Sequence, residues 1–136
     1  MDTKPKRLYI QAVFLILFLI IQYAFGMAAN LFVQFPENAS AGKLWEYAWS
    51  QTLTSAHIII GILLVLGALV FVVRAIRSSS RAWIVPSITG LLAIIAAGAS
   101  GSLFIATQNG LYSYGMSLAF LVALIAYGWG LVYRYK

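Results

Sequence analysis

Three long stretches without a charged residue alternate along the chain with short segments that carry the basic residues. They cover 8–36, 47–73 and 82–133, and the last is divided by the polar, turn-forming group Thr107, Gln108, Asn109 and Gly110. Each of the four resulting spans can cross a hydrocarbon layer of roughly 30 Å at about 1.5 Å per residue. The pattern predicts an all-α fold, an integral membrane four-helix bundle that runs up-down-up-down.

We predict one transmembrane domain over 1–136, with helices at about 8–34, 48–74, 83–106 and 111–133. An outer loop at 35–47 and an inner loop at 75–82 connect them. Pro86 falls in the first turn of the third predicted helix, where its missing N–H costs least. Residues 44–49 alternate large apolar with small or charged groups, and we expect them to lie in the outer membrane interface.

The basic residues predict the orientation of the bundle. All but Lys43 fall on one side of a four-span arrangement, and they are Lys4, Lys6, Arg7, Arg74, Arg77, Arg81, Arg134 and Lys136. Because positive residues stay on the cytoplasmic side, both termini are expected to be cytoplasmic. The expected location is a prokaryotic plasma membrane, with the lipid bilayer as the main partner.

Composition excludes several functional classes. The chain has 136 residues, of which 62% are hydrophobic and 9% are charged, so it has too few polar groups for a water-facing surface. The net charge of +6 lies beside the apolar stretches, where lipid headgroups meet it, and we expect no nucleic-acid partner. The absence of cysteine excludes a c-type haem attachment, and no Asp or Glu lies in a span to couple proton exchange.

Polar and small residues inside the spans are the first candidates for a site. Helix one presents polar and small groups at intervals of four that should face the bundle interior, namely Gln22, Gly26, Asn30 and Gln34. Small residues also occur at Gly61 and over 96–102, including Gly98. Two interpretations stay open: hydrogen bonding and close packing between helices, or a groove with room for a flat cofactor ring.

His57 is the candidate with the most specific chemistry. It lies roughly two turns into the second predicted helix, where an imidazole needs a hydrogen-bond partner or a metal. One interpretation is a hydrogen bond to Asn30, Gln108 or a helix carbonyl; the other is ligation of a haem iron. Met116 lies at a comparable depth in the fourth helix and is either a second ligand or core packing.

Several of these positions together resemble one four-helix half of the haem A synthase family. They are Gln22, Gly26 and Asn30 in helix one, Phe35-Pro36 in the outer loop, His57 followed by Gly61 in helix two, and the glycine-rich 98–101 in helix three. In that family each half carries histidines on its second and fourth helices that face a haem. The resemblance implies haem ligation at His57, while the fourth-helix position holds Met116. The family's flanking acidic residue and arginine are absent, with Thr54 and Ile58 nearby instead.

Three functional hypotheses follow from these residues. The first is one bound b-type haem, held by His57 with Met116 or a second subunit as the other ligand, for electron transfer or redox sensing. The second is a non-catalytic membrane subunit or assembly factor, acting as a homodimer or within a larger membrane complex. The third is passive transport of a neutral solute along the polar stripe of helix one, which would require several copies of the chain.

Overall fold

The computed structural model describes residues 4–133, and their side chains from residue 6 onward. Within this range the chain is all-helical and contains no strand. In order the helices are α1 (Lys4–Phe32), α2 (Ala41–Ser50), α3 (Thr52–Arg77), α4 (Arg81–Thr107) and α5 (Gly110–Tyr133). Arg134 and Lys136, on which the orientation argument also rests, lie outside the described residues.

Four of the helices, α1, α3, α4 and α5, are long and apolar enough to cross a membrane. Large apolar side chains cover their outward faces, and examples from three of them are Leu31, Leu92 and Ile125, each at least 60% exposed. An apolar surface of this extent is expected against lipid rather than water. The prediction of a helical membrane protein with four apolar spans is confirmed at this level.

The segment 35–47 differs from the prediction of a loop. It contains most of α2, which runs from Ala41 to Ser50 and is separated from α3 only by Gln51. Leu44 and Ala48 of α2 are buried against Ile105 of α4 because they are four residues apart on one helical face. We name this contact, together with the surrounding Phe35, Ala39, Trp45 and Ile58, the α2 cap.

Pro86 also has a different position from the one predicted. Because α4 begins at Arg81, the proline is the sixth residue of the helix and lies beyond its first turn. It is buried, and it packs close to Gly130 of α5. The predicted start of this helix at residue 83 was too late because Pro86 was taken as the start signal, whereas the N-cap is Ser80.

The four long helices enclose a common interior. Both α1 and α4 pack against α3 and α5, and α2 lies on α3 and α4. At the end of the bundle that carries Arg74, the Gln11 side chain links two helices: it accepts a hydrogen bond from Arg74 Nη1 at 3.0 Å and donates one to the Gly67 carbonyl oxygen at 3.2 Å. We call this the arginine end, and the opposite one the α2 end.

The half of the interior nearest the arginine end is densely filled. Phe71, Trp83 and Tyr127 are almost fully buried and meet edge to face, with ring centroids 5.7 Å apart for Phe71 and Trp83 and 5.8 Å apart for Phe71 and Tyr127. We name this region the packed half, and its buried residues are Leu8, Ala12, Leu15, Leu19, Leu64, Ala68, Phe71, Ala75, Trp83, Ala93, Ile94, Ala123 and Tyr127.

Glycines make the dense packing possible. A Cβ at Gly90 would lie 2.7 Å from the Tyr127 hydroxyl oxygen, and one at Gly130 would lie 2.9 Å from Cζ3 of Trp83. Both distances are below van der Waals contact, so each ring occupies the volume that a side chain on the facing helix would otherwise fill. The small residues of α4 and α5 therefore bring these two helices close together.

Candidate functional site

A cavity of about 340 Å³ lies between the packed half and the α2 cap. The four long helices form its walls and Trp45 of α2 contributes from the α2 end. Most of the lining side chains are apolar. We name it the central cavity. Seven of the residues singled out in the sequence line it, namely Gln22, Gly26, Asn30, His57, Gly61, Gly98 and Met116, whereas Gln34 does not. That they bind a ligand stays a prediction.

The His57 imidazole is held by Gln22 of α1 through both ring nitrogens. Its Nδ1 lies 3.0 Å from the Gln22 carbonyl oxygen, which can only accept, so Nδ1 carries the hydrogen and donates it. Its Nε2 then carries the lone pair and lies 3.4 Å from the Gln22 side-chain nitrogen, which donates to it. Of the partners expected from the sequence, a helix carbonyl is the one found, and no hydrogen bond to Asn30 or Gln108 is formed.

Two glycines create the space that this pair occupies. A Cβ at Gly26 would lie 2.8 Å from His57 Cε1, so only glycine lets the ring approach α1 this closely. A Cβ at Gly61 would lie 3.0 Å from Nε2 of Gln22. Gly26, one turn after Gln22 on α1, thus makes room for His57, and Gly61, one turn after His57 on α3, makes room for Gln22. This explains the spacing of Gln22 with Gly26 and of His57 with Gly61.

Met116 and Gly98 have different surroundings on the opposite wall. A Cβ at Gly101 would lie 3.2 Å from the Met116 sulfur, so the thioether rests against α4 at a glycine, as the imidazole rests against α1. Beside Gly98, by contrast, a Cβ would meet nothing within 4 Å. Gly98 therefore borders open space in the cavity, whereas Gly26, Gly61 and Gly101 are close-contact positions.

The polar stripe predicted on α1 is only partly internal. Gln22 and Gly26 are half-buried, whereas Asn30 is exposed and lines the cavity only at its edge. Gln34 is exposed and lies beyond Phe32, where α1 ends, so its placement on an inward helical face was wrong. A four-residue spacing aligns side chains only while the helix continues.

Two polar atoms at the cavity have no hydrogen-bond partner among the described residues. They are Oε1 of Gln22 and the hydroxyl oxygen of Thr54, a residue that is only 5% exposed. Thr54 precedes His57 by almost one turn and shares its helical face. Sequence reasoning noted Thr54 only as a departure from the family pattern, because burial of a threonine cannot be read from its neighbours in the chain.

A second, more polar cavity of about 610 Å³ lies at the α2 end. The end of α1, the connection from Phe35 to Ala39, and the end of α4 line it, and we name it the vestibule. It shares Ala29, Asn30, Phe35 and Phe104 with the central cavity, so these residues lie between the two spaces. Nothing in the sequence analysis predicted this space, because its walls come from three separate segments.

The residues of the central cavity offer a b-type haem one iron ligand and a mostly apolar wall for its ring. His57 offers an imidazole whose Nδ1 hydrogen is held by a backbone carbonyl, the usual arrangement of iron-ligating histidines. The volume lies within the range of about 300–1,000 Å³ typical of ligand sites. Two features require adjustment: the Gln22 amide must turn away from Nε2, and the haem carboxylates must find hydroxyl or amide donors, since no Lys or Arg of the described residues lines the cavity.

Comparisons with protein-family models, with curated proteins and with solved structures found no match to the chain. The resemblance to the haem A synthase family therefore rests only on the residues quoted above and stays a prediction. The class defined by the fold is that of an all-helical protein with four apolar spans, consistent with a multi-pass membrane protein. Among the described residues, no three His, Cys, Asp or Glu side chains come together as a metal site.

Proposed function

We propose that the protein binds one b-type haem in the central cavity through Nε2 of His57, and that it passes electrons or senses redox state. The observation that carries the proposal is the contact between His57 and α1. Nδ1 is fixed by the Gln22 carbonyl at 3.0 Å, and the ring lies against Gly26, so the imidazole has one tautomer and one orientation. The lone pair that an iron needs is therefore on Nε2, the nitrogen that is not bound to the backbone carbonyl.

Met116 is the proposed second ligand. It lies on α5, on the wall of the same cavity, and Gly101 leaves space for its sulfur to rest against α4. A haem supplies one-electron chemistry between ferrous and ferric iron, and a methionine ligand raises its reduction potential. In the absence of such a bond, a second copy of the chain would provide the other ligand.

The proposal includes a prokaryotic plasma membrane and an up-down-up-down course with both termini cytoplasmic. Contacts between α1 and α3 support the course: Gln11 meets Gly67 near the arginine end, and Gln22 meets His57 farther along α1 but earlier in α3. The basic residues at the arginine end support the orientation. In this arrangement the central cavity lies nearer the outer leaflet.

A visible spectrum of the purified protein tests the proposal. The full chain is expressed with haem supply, and a Soret band is expected in the unaltered protein but not in His57→Ala. Ile59→Ala is the matched control, because Ile59 lies on the same helix, is half exposed, and does not line the cavity. Absence of the band from the unaltered protein, or its persistence in His57→Ala with equal haem content, contradicts haem ligation by His57.

Met116→Leu separates the two ligand assignments. Leucine keeps the apolar volume but removes the sulfur, so a band that remains with a shifted maximum and a lower reduction potential is expected. An unchanged spectrum and potential would remove Met116 from the iron and favour a second subunit.

A second candidate function, docking to another membrane protein, is favoured by one outward face of α4. Ala96 and Ala99 are exposed there between the exposed Leu92 and Leu103, and the spacing of these four places them on one stripe. Small residues flanked by larger ones form a shallow groove that lets another helix approach closely. Loss of a co-purifying subunit in Ala99→Trp, with the spectrum unchanged, would support this role.

A further inference from the structure

We infer that the vestibule is a binding site for an organic ammonium group, such as the amine of an ethanolamine headgroup. This inference is independent of the haem proposal, because it concerns the second cavity and a different ligand. Its volume of about 610 Å³ is large enough for an organic group rather than only a bare ion.

The first feature that favours a cation is the charge of the vestibule lining. Glu37 is the only charged residue among the described ones that line the vestibule. The nearest basic residue in the sequence, Lys43, lies on α2 and does not line it. A carboxylate without a basic neighbour in the wall leaves the vestibule with net negative charge, which favours a cation.

The second feature that favours a cation is the direction of the two helices that end at the vestibule. α1 ends at Phe32 and α4 at Thr107, and residues of both last turns line the vestibule. A helix C-terminus carries up to roughly half a unit of negative charge, so both ends add to the effect of Glu37. The α4 end adds less, because the Gln108 side chain already donates to its Phe104 and Ile105 carbonyl oxygens. The N-terminus of α2 opposes them in part, because Ala39 and Leu44, on either side of its first residues, belong to the wall.

The third feature that favours a cation is the aromatic part of the vestibule wall. Phe35 and Phe104 both line the vestibule and meet edge to face with centroids 6.4 Å apart, and Tyr47 also meets Phe35 edge to face with centroids 5.6 Å apart. Aromatic faces attract ammonium groups, and aromatic rings beside a carboxylate are a common arrangement for alkylammonium ligands. Asn30 adds an amide oxygen that can accept a hydrogen bond from the ammonium.

A binding measurement in uncharged detergent tests the inference. The probes are dihexanoyl-phosphatidylethanolamine, dihexanoyl-phosphatidylglycerol with the same acyl chains, and free ethanolammonium chloride. The unaltered protein is expected to prefer the ethanolamine lipid over the glycerol lipid. Glu37→Gln should weaken its binding by about threefold to fivefold, the effect of losing one partly exposed ion pair. Glu37→Lys should abolish the preference.

Glu46→Gln is the matched control, because Glu46 is an exposed carboxylate on α2 that does not line the vestibule. It should leave binding unchanged. Glu37-dependent binding of free ethanolammonium would identify a soluble amine as a ligand, whereas binding of the lipid alone would identify a headgroup site; both support the inference. Equal binding of the two lipids, or equal losses in Glu37→Gln and Glu46→Gln, would overturn it.

Discussion

The two halves of this bundle use the same kind of residue for opposite purposes. In the packed half, Gly90 and Gly130 are covered by the rings of Tyr127 and Trp83, so each glycine is filled from the neighbouring helix. In the half near α2, Gly98 borders open space, and a cavity of about 340 Å³ remains between the helices. The dense half holds the helices together, and this leaves the other half free to keep an open cavity.

The two glutamines of α1 follow the same division. In the packed half, the Gln11 amide has both a donor and an acceptor partner, and it joins α1 to α3. At the central cavity, the Gln22 amide makes one contact of 3.4 Å with His57, and its oxygen has no partner among the described residues. Unsatisfied buried polar atoms are costly, and the packed half holds one as well, the Tyr127 hydroxyl, so it is the glutamine contacts that distinguish the two halves.

The largest expected effect compares two glycines of α4. Gly90→Ala should destabilise the protein by about 1–3 kcal/mol, because its Cβ would overlap the buried Tyr127 ring. Gly98→Ala should cost nothing and can stabilise by up to about 1 kcal/mol, since alanine is the better helix former and its Cβ meets no atom. Unfolding in detergent measures both variants, and equal losses would show that the two halves are packed alike.

The next largest effect concerns the contact between Gly26 and His57. Gly26→Ala should destabilise the unaltered protein because its Cβ would press on the imidazole, and the same change should be harmless when His57 is already alanine. The expected coupling in a double-mutant cycle is about 1 kcal/mol. Additive effects of the two substitutions would mean that the ring does not lie against α1.

A smaller effect distinguishes the two glutamines of α1. Gln11→Leu should cost about 1 kcal/mol, since it removes hydrogen bonds to Arg74 and to the Gly67 carbonyl. Gln22→Leu should be nearly neutral for the protein without ligand, because it removes one long contact together with an unpartnered oxygen. The ranking of the two variants in detergent unfolding is the measurement, and a greater loss in Gln22→Leu would reverse the comparison.

The smallest effects are expected where hydroxyl groups without partners are removed. Thr54→Val and Tyr127→Phe each remove a buried hydroxyl that has no partner among the described residues, and each keeps the shape of the side chain. Both should change the unfolding free energy by less than about 0.5 kcal/mol or stabilise slightly. A loss above about 1 kcal/mol would indicate an unrecognised hydrogen bond, to an ordered water for example.

Much of the candidate site was accessible from the sequence. Gln22, His57 and the glycines near them stood out because a polar or very small residue is unusual within an apolar span. What the sequence could not supply was the pairing: the bond from His57 to the Gln22 carbonyl, and the fit of Met116 against Gly101, join residues far apart in the chain. The α2 helix was missed because its residues 41–47 were taken for part of the outer loop and its residues 48–50 for the start of the second predicted helix.

The sequence by itself determined that the chain forms four apolar helices, because the length and the lack of charge of each span are local properties of the sequence. Both can be compared directly with the thickness and the apolar nature of the membrane interior. It also indicated candidate site residues such as Gln22 and His57. The tertiary structure decided where the interior is full and where it is open. Volume is a property of side chains from several helices at once, so whether a glycine such as Gly90 or Gly98 is covered or faces a cavity depends on what the neighbouring helix places beside it.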